Sequence, residues 1–123
     1  MNNSSNNKPV YDLEERTYIF ARNVRQEMKN IKKTFYNEDD IRQLIKASGS
    51  VGANYIEANE SFSKKDFIHR IKICRKEAKE SAYWLRLIND STYDNKNENL
   101  KILYQEAIEL KKIFSSIIEK SKK

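Results

Sequence analysis

The chain has 123 residues, 34% of them charged and 38% hydrophobic, and its 24 Lys and Arg against 18 Asp and Glu leave a net charge of +6. That length supports one domain, and two glycines with one proline (Pro9) are too few to turn a many-stranded sheet, whose hairpins lean on those residues. No run of about 18 apolar residues exists to cross a membrane, the Asn- and Ser-rich start lacks the apolar stretch of a secretory signal, and the lone Cys74 can form no internal disulfide, so a reducing cytoplasm is the expected compartment.

Residues 1–10 carry nothing to bury and read as a disordered polar tail, with the folded domain at 11–123. Asp12 opens the first helix, followed by Glu14 and Glu15 where negative charge suits a helix start. Leu13, Thr17, Phe20, Val24, Met28, Ile31 and Phe35 fall four and three apart, one apolar stripe of a helix over 12–35. Asn37 caps the second helix, whose stripe is Ile41, Leu44, Ile45, Ser48, Val51, Tyr55 and Ile56. Gly49 and Gly52 sit inside it beside Ala47, Ser48, Ser50 and Ala53. Each costs about 1 kcal/mol against alanine, so close approach of a neighbouring helix is their expected purpose.

Ser63 caps the third helix, with a regular seam of Phe67, Ile71, Cys74, Ala78, Ser81, Leu85 and Ile88. Residues 89–97 are turn formers without a stripe. A fourth helix carries Leu100, Leu103, Ala107, Leu110, Phe114 and Ile117. Four such stripes on short connections predict an all-α, antiparallel up-down-up-down four-helix bundle.

The third helix has a second line at the same spacing: Asp66, Arg70, Ile73, Glu77, Glu80, Trp84 and Leu87. It holds the only tryptophan, and Tyr18, Ile19, Tyr83, Tyr104, Ile108 and Ile118 also fall beside the core stripes. Aromatic residues at a bundle edge are enriched in protein interfaces, so Ile73, Glu77, Glu80, Trp84 and Leu87 are the expected self-association surface.

Three blocks in order carry a resemblance. Ser50-Val51-Gly52-Ala53-Asn54-Tyr55-Ile56-Glu57-Ala58 is followed by Ser63-Lys64-Lys65-Asp66-Phe67, then by Lys76-Glu77-Ala78-Lys79-Glu80-Ser81-Ala82-Tyr83-Trp84-Leu85. Over about residues 12–120 the chain resembles the bacterial four-helix bundle proteins also known as 23S ribosomal RNA intervening-sequence proteins. Val51 stands for that family's usual isoleucine, and Ser81-Ala82 for bulkier or more polar residues. The resemblance implies a left-handed antiparallel bundle assembling into a homo-oligomeric ring, commonly a pentamer. It is distantly similar to the basic, RNA-binding accessory variability determinants of diversity-generating retroelements. It marks Asn54, Glu57, Lys65, Phe67, Glu77, Glu80, Tyr83 and Trp84 as motif positions and implies no catalytic role for any of them.

Charge is unevenly spread. Residues 38–60 have two basic against five acidic side chains, whereas residues 63–90 have eight against four. On the third helix Lys65, His69, Lys72, Lys76, Lys79, Tyr83 and Arg86 form one line, and on the first Tyr18, Arg22, Arg25, Lys29, Lys32 and Tyr36 form another. Basic stripes interleaved with aromatics suit a phosphate backbone, where Lys and Arg displace condensed counterions. The same lines also serve as the wet face that any bundle helix needs.

Catalytic chemistry is poorly provided for. A di-metal carboxylate site needs two Glu-x-x-His pairs; there is one histidine, and Asp66-x-x-His69 turns outward because Phe67 and Ile71 claim the inward face. Cys74 lies in the core seam, and no glycine-rich loop is present to cradle a phosphate. The expectation is a non-enzymatic bundle without cofactor, metal or small-molecule substrate, binding structured RNA or a nucleoprotein. The alternative is an adaptor ring that binds only protein.

Overall fold

The computed structural model describes residues 12–92 and 97–122, all of whose regular structure is helical: α1 (Leu13–Met28), α2 (Glu38–Asn59), α3 (Lys64–Ser91) and α4 (Glu98–Ser121). The expected tail, Tyr11 and part of the expected 89–97 loop lie outside the described residues. α3 packs on α2 and α4, α1 packs on α2 and more thinly on α4, and α1/α3 and α2/α4 are the diagonals. Arg16, near the start of α1, meets Glu106, and Glu27, near its end, meets Asn97 and Asn99, so α1 and α4 run antiparallel. The helices form the expected four-helix bundle.

The caps act as the sequence predicts at two of three sites. Asp12 Oδ1 accepts from the Glu15 backbone N–H at 2.8 Å, and Ser63 Oγ from that of Asp66 at 3.0 Å. Asn37 holds the cap position of α2 but turns its side chain back into the preceding loop. It donates to Lys32 O at 3.1 Å and accepts from Thr34 N–H at 2.8 Å, and it is buried.

That loop corrects the sequence reading of the first helix, which stops at Met28 and not near residue 35. Asn30 and Ile31 close its end through short-range bonds to Glu27 O and Met28 O. The following segment contains Thr34 and other weak helix formers, and Asn37 supplies its backbone with partners. Phe35, expected in the core stripe, is therefore 93% exposed. Ile56 also leaves its stripe, at 46% exposed, while Ala47 and Ala58 are buried. On α4 the buried residue of the last turns is Ile118, with Ile117 half-buried beside it. At 3.6 residues per turn a four-three stripe drifts around a straight helix, which brings the neighbouring position inward. α3 runs to Ser91, past the expected loop start, and Asn97 caps α4 through Leu100 N–H at 3.1 Å.

The glycines do serve close packing. A Cβ on Gly52 would stand 2.9 Å from Thr17 Oγ1 and 3.2 Å from Thr17 Cβ, and Thr17 is fully buried. A Cβ on Gly49 would meet only the Arg25 guanidinium tip, also at 2.9 Å. Gly52→Ala is thus expected to lose about 1–3 kcal/mol by overpacking, less about 1 kcal/mol of helix propensity regained. Gly49→Ala displaces the Arg25 Nη2 that bonds Ile45 O, so about 0.5–1.5 kcal/mol of lost hydrogen bond offsets about 1 kcal/mol of helix propensity regained, and the variant is expected to be near neutral. Urea midpoints of the two variants, compared at equal slope, check this.

Candidate nucleic-acid interface

α3 presents two chemically different lines to its two sides. Lys65, His69, Lys72, Lys76, Lys79, Tyr83 and Arg86 are all exposed. None of Lys65, Lys72, Lys76, Lys79 and Arg86 forms an ion pair with the described residues. Their charges are therefore available to a ligand. At the start of α3, Lys64, Lys65, Ile68, His69 and Lys72 border a shallow basin.

The other line adjoins α2. Arg70 Nη1 donates to Asn54 Oδ1 at 3.1 Å, while Asn54 Nδ2 donates to Ser50 O at 2.8 Å. The motif residue Asn54 thus ties α2 to α3. Glu57 is exposed and Phe67 half-buried against the core. Ile73, Glu77, Trp84 and Leu87 are half-buried along this line and Glu80 is exposed. Trp84 packs on the core and receives the Tyr83 ring edge-on, with centroids 5.0 Å apart. Acidic and apolar side chains therefore face the α2 side, and the free cations face away from it.

Burial pushes the Glu77 carboxyl above the usual range and Glu80 adds to this, while Lys76 and Lys46 oppose it. A carboxyl whose folded pKa exceeds its unfolded one favours the folded state only while protonated, and that advantage is lost as pH rises through the folded value. At neutral pH the charge on Glu77 is consequently a burden. Glu77→Gln is expected to raise the thermal midpoint at pH 7, with the gain shrinking as pH falls into the ordinary carboxylate range, as thermal melts across pH will show.

The α1 line is less continuous than its spacing implies. Arg25 spends its guanidinium on packing: Nη1 donates to Ala21 O at 3.0 Å and Ser48 Oγ at 3.3 Å, and Nη2 to Ile45 O at 3.0 Å. It staples α1 to α2. Lys29 is the C-cap of α1, and Lys32 and Tyr36 lie in the loop beyond it. Arg22 bonds the neighbouring Asn23 side chain at 3.3–3.4 Å and stays exposed.

Across the groove from α3, α4 adds cations that single-helix spacing does not associate with the α3 line. Arg86 and Lys101 border one pocket between α3 and α4, together with Leu85, Asn89, Leu100 and Tyr104. Arg75 on α3 and Lys111 on α4 are half-buried and without ion pairs among the described residues. Spacing on one helix locates a line, but only packing shows which second helix extends it.

Two polar ties hold the bundle's weakest seam. Arg16 makes a two-pronged contact with Glu106 at 2.8 and 2.9 Å. Glu27, buried, accepts from Asn97 at 3.1 Å and Asn99 at 3.0 Å, and Asn97 caps α4 at the same time. Neither tie is visible in a periodicity.

Cys74 is fully buried, and burial pushes its thiol up to about 12, leaving almost no thiolate at neutral pH. Among the described residues no cluster of three His, Cys, Asp or Glu is placed to hold a metal ion, and no helix is long and apolar enough to cross a membrane.

Comparison with known proteins agrees with this architecture. The sequence profile described as 23S rRNA-intervening sequence protein matches residues 13–116. Among curated proteins none matches the chain. The chain is similar to a solved structure from Bacteroides thetaiotaomicron, described as a protein of unknown function from the S23 ribosomal protein family. The two share 30% identity and superpose with a TM-score of 0.76, over 87% of this chain and 98% of the other. The chain belongs to the 23S rRNA-intervening sequence protein family.

Proposed function

We propose that the protein is a non-enzymatic, homo-oligomeric scaffold that binds structured RNA, acting in a reducing cytoplasm. The observation that carries the RNA reading is the exposed cationic line of α3. Its five cations, unpaired among the described residues, lie on one face, and the acidic side chains of α3's second line lie on the α2 side. Paired lysines on a wet helix face would offer a phosphate backbone little; these offer unspent charge. Membership in a family named for an intervening sequence of 23S rRNA supports the same reading. If three to five of these cations engage phosphates, the logarithm of affinity falls against the logarithm of salt with a slope of about −2 to −5. A mobility shift with a structured RNA across salt concentrations measures that slope; no shift at about 50 mM salt overturns the reading.

Assembly is supported by the half-buried Ile73, Trp84 and Leu87 and the exposed Tyr83 beside them, apolar surface that a partner copy would cover. A ring repeats the cationic line, and repeated weak contacts add through effective concentration. Light scattering is expected to give a multiple of 14.6 kDa, with five copies the number the resemblance implies. A monomeric mass at micromolar concentration removes this part of the proposal. An adaptor that touched only protein would show partner binding almost indifferent to salt.

A further inference from the structure

The pocket between α3 and α4 has a composition that the cationic line does not explain. Its volume is about 240 Å³, and Leu85, Leu100 and Tyr104 line it with Asn89, Arg86 and Lys101. Leu85 and Leu100 are fully buried, so they give the pocket an apolar floor, and Tyr104 is half-buried. The Asn89 carboxamide oxygen is screened from solvent and meets no donor among the described residues. Among the described residues Arg86 is exposed without an ion pair, and Lys101 pairs with the exposed Glu98 alone at 3.3 Å, a pair worth little and easily exchanged.

We propose that this pocket takes one unpaired adenine base of a bound RNA. The inference deepens the RNA reading and rests on it for the physiological ligand. An apolar floor with one aromatic ring suits the face of a base, which RNA-binding proteins commonly hold by stacking. A carboxamide pairs two-pronged with adenine, accepting from its exocyclic amine and donating to a ring nitrogen; a turn of the Asn89 side chain that brings its screened oxygen into the pocket lets that amine supply the donor it lacks among the described residues. Arg86 and Lys101 at the mouth meet the phosphates on either side. Ligand pockets usually run about 300–1,000 Å³, and this smaller, open one has room for a single base. Arg86 also ends the cationic line, so a strand following that line arrives at the pocket.

Adenosine monophosphate, uridine monophosphate and inorganic phosphate, each titrated into the full chain and followed by NMR, test this directly. Adenosine monophosphate is expected to move the Leu85 and Leu100 methyl and Tyr104 ring signals. Uridine monophosphate, lacking the exocyclic amine, is expected to bind at least about fivefold more weakly, the low end of what such a pair discriminates. Phosphate alone should disturb only Arg86 and Lys101. Asn89→Leu is expected to abolish the preference for adenosine. Arg86→Gln, an exposed change with little risk to folding, should weaken both nucleotides alike and leave the preference in place. Equal binding of the two nucleotides, or no response at about 10 mM, ten times a millimolar Kd, overturns the pocket. Because mononucleotides report on it without RNA, its failure is separable from failure of the wider reading, which the salt slope and charge reversal on α3 decide.

Discussion

Changing Lys72, Lys76 and Lys79 together to glutamate is expected to lower RNA affinity at least about a hundredfold, from roughly 1 kcal/mol for each lost contact. Repulsion adds to this, because each exchange removes two units of charge and the chain's net +6 falls to zero. The three side chains are exposed and form no ion pair among the described residues. Surface changes of that kind usually alter stability by no more than about 0.5 kcal/mol. The variant should therefore keep its helical signal and its oligomeric mass while losing RNA in filter binding or mobility shift. Retention at the parent level with an intact fold would exclude the α3 line as the binding site. A variant that lost RNA binding only together with its oligomeric mass would assign the effect to avidity and not to the individual contacts.

The second large effect belongs to the core. Phe114→Ala is expected to cost about 3–5 kcal/mol and to lower the thermal midpoint by about 10–20 °C for a domain of this size. Phe114 is fully buried and its ring stands 6.2 Å from that of Tyr55. With Arg16 opposite Glu106, antiparallel α1 reaches its first residue, Leu13, before α4 reaches Phe114. Among the described residues that end of the core is closed by α2, α3 and α4, and the Tyr55 and Phe114 rings meet across it. Truncation leaves a cavity beside the Tyr55 ring, where among the described residues α1 has no side chain to fill it. Phe114→Leu, which keeps most of the volume, should lose markedly less; equal losses for the two variants would argue against a cavity origin. Thermal melts at fixed protein concentration make the comparison, because assembly itself shifts the midpoint.

Much of the bundle was legible because its core seams are strictly periodic. Ile71, Cys74, Ala78, Ser81, Leu85 and Ile88 are all buried, and a helix offers only one face to such a pattern. Phe35 misled for an equally physical reason. It continues the four-three count, but the count is blind to where a helix stops, and the stop was made by Asn37 bonding back to Lys32 and Thr34. Arg25 has a packing role that its spacing does not show. Its spacing matches a solvent-facing basic line, yet its guanidinium reaches carbonyl and hydroxyl oxygens on the neighbouring helix.

By itself the amino-acid sequence determined the four helices, two of their caps, the seam of α3, the separation of cationic from acidic lines on that helix and the need for small residues at Gly49 and Gly52. These are properties of one helix at a time, set by local hydrogen bonding and a 3.6-residue turn. Only the tertiary structure decided which cations remain free, that Thr17 is the group Gly52 accommodates, that Glu27 is held by Asn97 and Asn99, and that Arg86 and Lys101 share a pocket with Asn89. Each of these depends on the register between two helices, which is set by how side chains interdigitate across the seam, information that no single periodicity contains.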